Sequence, residues 1–438
     1  MAYKDIHLIK VDGNANNNKF YDMHDNGNGT FTVTYGRIGG SSKTMSYPIS
    51  KWDEKYREKT GPSKGYTDHS SDSLKVSEYK PENDAQINDI LQHFLEISRQ
   101  YVSKFTSTNC LNATAITKVQ ELIDKLTNIK SLKCGSENYK IYLQNTNKSD
   151  TTSTQTIFNQ KVLKEFNDVL VQIFAILPRK MKKVEDGFLV ANVISDNSNS
   201  AIDKIIVREQ TLLDNIKVQS VAAPTGTQTI QEAFGFNFTK ASPEETEFIK
   251  NKFLQDCQGE SISKHIANVY KVCNPTRNAE FEEYLDNNNL GADSKDNKNI
   301  KLYWHGTGPE NILSIMSNGL VIRPSNVSYS GSAFGEGIYN APSPLKANSY
   351  VSIDKSRGGF AYMLVNAVIV GTPFDCSTNG EKIGKIRICD LNGNNFSQLN
   401  LNYHSVHAHA SSNSFIRRDE VIVYNSSQVA TRYLVELC

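Results

Sequence analysis

The first 75 residues alternate apolar and polar positions, which is typical of a small β-rich domain. The period of two is clearest at 30–35, directly after an Asn/Gly turn cluster at 26–29. The stretch KWDEKYREKT at 51–60 has a helical pattern and predicts one amphipathic helix packed on the sheet. The polar, Ser-rich stretch 63–80 predicts a linker. We therefore predict a first domain at 1–75.

From residue 83 the apolar positions recur every three to four residues, as on amphipathic helices. The most apolar predicted helix covers 158–177 and ends before Pro178, because proline lacks the N–H that a helix interior needs. A further helix is predicted at 202–216. The large apolar side chains of these helices are interpreted as core, so 81–216 is predicted to be an all-α bundle.

The segment 235–438 mixes helices and short strands. Ser242, Pro243 and Glu245 predict a helix start, with a capping hydroxyl, an early proline and a glutamate at the third helical position. Alternating strands such as 360–370 follow, with Gly- and Asn-rich turns between them. The expected fold class is multidomain: a small β-rich α+β domain, an all-α bundle and a mostly antiparallel α+β domain.

Composition limits the possible functions. The chain has 438 residues, enough for two or three domains, and a formal net charge of +1. With a charge this small, any DNA contact has to be a local patch. The seven cysteines are scattered without a CxxC pair, which argues against a disulfide framework and a structural zinc site. The sequence has no signal-peptide pattern and no membrane-length apolar run, so we expect a soluble intracellular protein without membrane contact.

Three separated motifs in the last third contain the candidate chemistry. His305 ends an apolar strand, Tyr339 lies in the run FGEGIYNA, and Glu420 lies in the run DEVIVYN. A second aromatic residue, Tyr350, follows Tyr339 after a presumed helix start. Taken singly, each would be interpreted as a packed or ion-paired residue. Their agreement in order favours one cleft built from several strands.

These motifs resemble the catalytic domain of the poly(ADP-ribose) polymerases, ADP-ribosyltransferases with a His-Tyr-Glu triad. The matching stretches are LYWHGTGPENILSIMSNGL at 302–320, GSAFGEGIYNAPSPLKANSY at 331–350 and RRDEVIVYNSSQVATRYLVEL at 417–437. The resemblance implies NAD⁺ as the substrate. Breaking the nicotinamide–ribose bond builds positive charge on the ribose carbon, so aromatic walls and a nearby carboxylate suit this reaction.

The resemblance also implies a role for each residue. His305 would anchor the adenine-side ribose, Gly306 would bind the carboxamide through its backbone, and Tyr339 would stack on nicotinamide. Tyr350 would close the other face of the ring. Glu420 would bond the nicotinamide-ribose hydroxyl and permit polymer elongation.

One further match and several departures accompany the triad. Lys346 matches a lysine that assists catalysis in the family, and Thr307 replaces a serine while keeping the hydroxyl in the NAD⁺ site. Ala347 stands where the family has a serine that bonds the carboxamide, so one hydrogen bond worth roughly 0.5–1.5 kcal/mol is expected to be missing. Val321 replaces a basic residue, and Arg323, on the same strand face, is expected to take over its phosphate contact.

The stretch GTFTVTYGRIGG at 29–40 resembles a WGR domain, with Tyr35, Gly36 and Arg37 in place of Trp-Gly-Arg. The resemblance implies binding to DNA with strand breaks. An aromatic ring can pack on a terminal sugar or base while an arginine bonds phosphate. Lys43 would extend the patch.

The bundle at 81–216 resembles the regulatory helical domain of the same family, best at IFAILPRK, residues 173–180. The resemblance implies that this domain shields the NAD⁺ site until DNA binds. It also implies a nuclear protein, and in some relatives an accessory factor completes the active site.

The resulting hypothesis is NAD⁺-dependent poly(ADP-ribosyl)ation of proteins, the chain itself included, stimulated by DNA strand breaks in a DNA damage response. The alternatives are a mono-ADP-ribosyltransferase and a DNA-break-binding scaffold with an inactive NAD⁺ pocket. His404, His407 and His409 alternate as in some metal sites, but no matching Cys or carboxylate pattern accompanies them. A polar loop is therefore preferred, and no metal is expected.

Overall fold

The computed structural model of the chain describes most of its residues, and they form two compact units. The described residues are 3–12, 17–70, 78–106, 111–130, 137–181, 189–190, 198–220, 226–291, 299–322, 333–399, 402–411 and 416–438. One unit contains 1–76 and 99–220, and the other contains 77–98 and 221–438. The division falls inside a long helix that starts at Ala85, so it does not follow the predicted start of the bundle at 81.

The first unit begins with a five-stranded antiparallel sheet in the order β4-β3-β2-β1-β5. Its elements are β1 (Ile6–Asp12), β2 (Asn17–Asp25), β3 (Thr30–Arg37), β4 (Ser42–Pro48), α1 (Trp52–Thr60) and β5 (Thr67–Asp68). Trp52 of α1 is buried, with its ring 5.1 Å from that of Phe31 on β3. This contact confirms the predicted helix on the sheet. The short strand β5 lies in the stretch predicted as a linker.

Five helices follow. They are α2 (Ala85–Phe105), α3 (Ala113–Lys130), α4 (Glu137–Thr146), α5 (Thr152–Ile176) and α6 (Ser198–Ser220). The most apolar helix, α5, starts earlier than predicted because the Thr151 side chain caps it by accepting from the backbone N–H of Thr154. It ends at Ile176, just before Pro178, as predicted. The first part of α2, up to Ser98, belongs to the second unit.

The second unit contains two larger sheets. After α2, the elements in the first half of this unit are α7 (Ile230–Phe234), β6 (Asn237–Lys240), α8 (Pro243–Asp256), β7 (Ile266–Cys273), α9 (Pro275–Asn287), β8 (Ile300–Gly306), α10 (Ile312–Asn318), β9 (Ile338–Asn340) and α11 (Pro344–Ala347). The remaining elements are β10 (Ala361–Ile369), β11 (Pro373–Cys376), β12 (Lys382–Ile383), β13 (Ile386–Arg387), α12 (Gly393–Gln398), β14 (Ser405–Ala408), β15 (Glu420–Val423) and β16 (Val429–Leu437). Helix α8 starts at the predicted capping box, in which Ser242 and Glu245 bond each other's backbone N–H groups.

The two larger sheets meet beside the candidate site. One has the strand order β6-β7-β16-β10-β8 and the other β11-β14-β15-β9. β11 and β14 pair in parallel, and the other pairs in these sheets are antiparallel. Trp304 on β8 and Ala341, just after β9, exchange backbone hydrogen bonds of 2.9 and 2.8 Å. This bridge holds the end of β8 next to the edge strand β9.

Among the described residues, no helix combines the length and apolar character needed to cross a membrane. Five cysteines in the described segments are free thiols: Cys257, Cys273, Cys376, Cys389 and Cys438.

Candidate active site

His305 lies near the end of β8, with Nδ1 2.9 Å from the carbonyl oxygen of Tyr339. A carbonyl oxygen only accepts, so Nδ1 carries the proton of this hydrogen bond. Burial lowers the pKa of His305, and this effect exceeds the opposing effect of the bond to Tyr339. The ring is therefore neutral at pH 7, and its Nε2 lone pair can accept a hydrogen bond from a ligand hydroxyl.

Gly306 lies where a side chain does not fit. A Cβ on this residue would be 1.9 Å from the carbonyl oxygen of Ala347 and 3.2 Å from Cβ of Tyr350. The missing Cβ lets the end of β8 lie directly against α11 and the turn that follows it. The backbone of Gly306 is consequently beside Tyr350, a residue that is 41% exposed. An exposed aromatic face next to a backbone amide suits a flat, amide-bearing ring.

Tyr339 lies on β9 opposite Ile422 of β15. Its hydroxyl donates to the carbonyl oxygen of Gly335 at 2.8 Å and accepts from the backbone N–H of Phe334 at 2.9 Å. These two bonds fix the ring orientation. Burial raises the pKa of Tyr339 well above its usual value, so the phenol stays neutral.

Glu420 starts β15, two residues before Ile422, so its side chain and that of Tyr339 are on the same face of the sheet. The carboxylate is buried, and Oε1 forms an ion pair with Nζ of Lys346. Burial raises the pKa of Glu420, while the hydrogen bond and charge of Lys346 oppose the shift. The second oxygen, Oε2, is also buried and has no hydrogen-bond partner among the described residues.

A chain of contacts brings the predicted catalytic residues together. His305 bonds the backbone of Tyr339, Glu420 shares the sheet face of Tyr339, and Lys346 pairs with Glu420. Nζ of Lys346 also lies 5.7 Å from the ring centroid of Tyr350, which adjoins Gly306 beside His305. The described structure thus places both aromatic rings, the histidine and the carboxylate around one region.

The other residues predicted for the NAD⁺ site differ in their burial and contacts. Thr307 is buried, and its hydroxyl accepts a 3.1 Å hydrogen bond from the side-chain amide of Asn311, a residue that sequence reasoning missed. Ala347 is also buried and packs in the core. Val321 is half-buried, and Arg323 lies outside the described residues. The expected phosphate contact of Arg323 therefore stays a prediction.

The predicted DNA contacts lie at one end of the first sheet. Tyr35 on β3 is opposite Lys43 on β4, and Arg37 lies two residues further on the same face of β3. The Tyr35 ring is half-buried, 6.0 Å from the Tyr21 ring, so part of it belongs to the domain core. A Cβ on residue 36 would be 2.5 Å from the carbonyl oxygen of Ser41, which explains why a glycine lies between Tyr35 and Arg37.

Comparison with known proteins agrees with this geometry. The family profile of the WGR domain matches residues 4–72, and that of the Poly(ADP-ribose) polymerase catalytic domain matches residues 243–438. A relative from Zea mays called Poly [ADP-ribose] polymerase 2 is 22% identical over 381 residues, or 79% of this chain. The chain contains the catalytic domain of the poly(ADP-ribose) polymerase family. It carries the catalytic domain of an ADP-ribosyltransferase, and catalytic domains of this type use NAD⁺ as substrate.

Other relatives match parts of this chain. The "Uncharacterized protein 101L" of Invertebrate iridescent virus 6 is 28% identical over 240 residues, covering 53% of this chain and 85% of the viral protein. The "Poly [ADP-ribose] polymerase tankyrase" of Caenorhabditis elegans is 39% identical over 92 residues, or 3% of its length. The match to the maize polymerase covers 54% of that protein. The family and the multidomain fold class predicted from the sequence are confirmed.

Proposed function

We propose that this chain is an NAD⁺-dependent poly(ADP-ribose) polymerase whose activity rises when its WGR domain binds DNA strand breaks. Its acceptors would be proteins, the chain itself included. The single observation that carries the catalytic part is the buried Glu420 carboxylate, with one oxygen paired to Lys346 and the other without a hydrogen-bond partner in the described part of the chain. This carboxylate lies on the sheet face of Tyr339, whose backbone carbonyl oxygen accepts a hydrogen bond from the neutral His305.

The proposed reaction needs little covalent help from the protein. The bond between ribose C1′ and nicotinamide breaks, and both electrons leave with nicotinamide. An acceptor atom then bonds C1′ and its proton is released. Oε2 of Glu420 would accept a hydrogen bond from the nicotinamide-ribose hydroxyl and stabilise the positive charge that develops on the ribose. The rings of Tyr339 and Tyr350 would hold nicotinamide, and Nε2 of His305 would bind the other ribose.

Elongation to a polymer would use the same carboxylate. A ribose hydroxyl of the growing chain becomes a better nucleophile when its proton is held by an acceptor. Glu420 is buried among apolar strands, where a hydrogen bond to an ionised oxygen is stronger than in water. The presence of this glutamate favours polymer formation over transfer of a single ADP-ribose.

Two sets of contacts support stimulation by DNA. In the first unit, Gly39, two residues after Arg37, approaches Lys180 so closely that a Cβ would be 3.1 Å from its Cα. The backbone N–H of Lys180 donates to the carbonyl oxygen of Phe105, the last residue of α2, at 2.7 Å. The loop that follows Arg37 therefore contacts Lys180, and Lys180 is hydrogen-bonded to the end of α2.

The second set of contacts lies in the other unit, at the beginning of the same helix. Nε2 of His93 is 2.5 Å from Oδ2 of Asp354, and the Phe94 ring is 4.9 Å from the Tyr362 ring on β10. Asp89 pairs with Arg357 at 2.7 Å. Because α2 touches the catalytic domain just after Tyr350, a change in this helix would alter access to NAD⁺. This is the expected route of autoinhibition and its release.

Incorporation of labelled NAD⁺, with and without a short 5′-phosphorylated DNA duplex, tests the proposal. The wild-type chain should form a DNA-dependent smear of high mass on a gel. Glu420→Gln should abolish the smear, whereas Glu283→Gln, an exposed change on α9, should leave it intact. A sharp band from the wild type would indicate mono-transfer. DNA binding without NAD⁺ consumption, together with failure to bind a nicotinamide mimic, would favour the scaffold alternative.

Nuclear localisation is part of the proposal, since DNA strand breaks are the expected partner. Imaging of the tagged full chain in cells checks it. A signal that stays outside the nucleus before and after DNA damage would contradict it.

A further inference from the structure

Two histidines and two aspartates meet on the sheet of β11, β14 and β15, outside the candidate active site. His407 and His409 lie on and just after β14, with ring centroids 4.0 Å apart. Oδ1 of Asp375 on β11 is 2.6 Å from Nε2 of His409 and 3.9 Å from Nδ1 of His407. Oδ2 of Asp419 is 3.3 Å from Nδ1 of His409 and 3.3 Å from Nε2 of His407. Each carboxylate therefore faces both rings, from opposite edges.

Three of these residues satisfy the spacing of a metal site. Asp375, His407 and His409 each offer one ligand atom, and these atoms all lie within 4.8 Å of one another. In a tetrahedral zinc site with bonds of about 2.0–2.1 Å, ligand atoms are roughly 3.3 Å apart, so small side-chain rotations would complete the geometry. Asp375 is exposed, which leaves room for water as a fourth ligand. His404 is not part of the cluster; its Nδ1 accepts from the backbone N–H of Thr372.

Asp419 has the position of an orienting carboxylate. Its Oδ1 accepts a 2.8 Å hydrogen bond from the backbone N–H of Ala410, and its Oδ2 faces the ring nitrogens that point away from Asp375. Histidines that bind zinc commonly donate their second N–H to such a carboxylate, which fixes the ring and the tautomer. Nε2 of His407 is buried and makes no well-aligned hydrogen bond among the described residues. The cluster is thus incompletely satisfied by its own side chains.

We propose that Asp375, His407 and His409 bind one divalent transition-metal ion of the zinc class, with Asp419 orienting the two imidazoles. Two imidazoles and one carboxylate suit zinc better than magnesium or calcium, which prefer all-oxygen sites. His407 pairs with Val421 of β15, whereas Glu420 pairs with Ala408, so the side chains of His407 and Glu420 are on opposite faces of the sheet. The ion would therefore lie behind the catalytic carboxylate. It would tie β11 and β14 to the residue that precedes β15, and so fix where that strand begins.

This site is not evident from the sequence, because its carboxylate ligand is far from the two histidines along the chain. Asp375 lies 34 positions before His409 and reaches it only through the parallel pairing of β11 with β14. The structure also places His407 in a strand, whereas the sequence favoured a polar loop.

Metal analysis of the purified full chain tests the inference, independently of any transferase activity. After loading with Zn²⁺ and dialysis, the wild type should retain one equivalent more than either His409→Ala or Asp375→Asn, with affinity at least tenfold higher. His24→Ala is the matched control, since His24 pairs with Asp5 at 2.8 Å but lacks a second histidine. Zn²⁺ should raise the Tm of the wild type and of this control, and not that of the two site variants.

Equal zinc content in the wild type and both site variants would overturn the inference. Circular dichroism without metal should first show that the variants fold, and both changes lie at partly exposed positions. If a site variant does not fold, the zinc-dependent Tm shift of the other one decides the question.

Discussion

The Lys346 ammonium pairs with Oε1 of Glu420, and this leaves Oε2 of the same buried carboxylate without a hydrogen-bond partner among the described residues. The lysine thus serves two purposes. It offsets part of the cost of burying a negative charge, and it holds the carboxylate in one orientation. Because the ion pair uses one oxygen, the other is available to a substrate hydroxyl.

Lys346→Met should shift the acid limb of the pH profile of NAD⁺ consumption to higher pH. Burial raises the pKa of Glu420, and Lys346 opposes that shift, so removing the ammonium should raise the pKa further. If the ionised carboxylate is the active form, activity is lost as pH falls through this pKa, and the loss starts at higher pH in the variant.

The measurement is kcat/KM for NAD⁺ as a function of pH, in the wild type, Lys346→Met and Lys346→Arg. The arginine variant retains a positive charge and should keep its acid limb close to that of the wild type. Superimposable acid limbs in all three proteins would show that the ion pair does not control the titration.

Gly306→Ala should weaken NAD⁺ binding and destabilise the fold. The new methyl group would be 1.9 Å from the carbonyl oxygen of Ala347, so β8 or α11 has to move. Overpacking of this kind costs about 1–3 kcal/mol in the free energy of unfolding. Urea unfolding and titration with a nicotinamide mimic measure the two effects.

Gly380→Ala is the control for that substitution. A Cβ at Gly380 meets nothing within 4 Å, so its free energy of unfolding and its ligand affinity should match the wild type. If Gly306→Ala is as stable as this control and binds the nicotinamide mimic as tightly, the close approach of β8 to α11 has no role in the site.

Ala347→Ser should lower the KM for NAD⁺. The resemblance to the family implies a hydroxyl at this position that bonds the carboxamide of nicotinamide. One restored hydrogen bond of about 0.5–1.5 kcal/mol corresponds to an affinity gain of roughly 2- to 10-fold. Ala279→Ser, on an exposed face of α9, should leave KM unchanged. A lower stability with an unchanged KM in Ala347→Ser would mean that the new hydroxyl is buried away from the ligand.

Local signals in the sequence predicted local structure well. The capping box at Ser242 correctly predicted the start of α8, since all its bonds form within four residues. The helix α1 was predicted from its periodicity alone. The short helix α4 was not predicted, because it is mostly polar on its exposed side and Tyr139 is the one fully buried aromatic residue in the part of it whose burial is described.

Contacts between distant residues could not be predicted in the same way. His305, Tyr339 and Glu420 were found through separate motifs, but the ion pair of Glu420 with Lys346 depends on how β15 packs beside α11. The same holds for Asp375, which reaches the histidines only through strand pairing. The residue roles at the active site stay predictions until variants are measured.

His93→Ala should raise the NAD⁺ consumption of the chain in the absence of DNA. The imidazole bonds the buried carboxylate of Asp354 and helps to hold the first part of α2 on the catalytic domain. Without this imidazole, the state in which α2 packs on the catalytic domain loses a specific contact. The equilibrium then moves toward the state in which NAD⁺ has access to the active site. Added DNA should then stimulate the variant less than the wild type, because part of the shift has already occurred.

Gln86→Ala is the matched control, since this exposed side chain lies on the same helix and alanine preserves helix propensity. Its basal rate and its stimulation by DNA should equal those of the wild type. The readout is the ratio of NAD⁺ consumption with and without a DNA duplex, measured on protein shown by circular dichroism to be folded. An unchanged ratio in His93→Ala would mean that the contact between α2 and Asp354 does not restrain catalysis. Regulation would then have to act through another surface of the helix, and Asp89, paired with Arg357, would be the next residue to test.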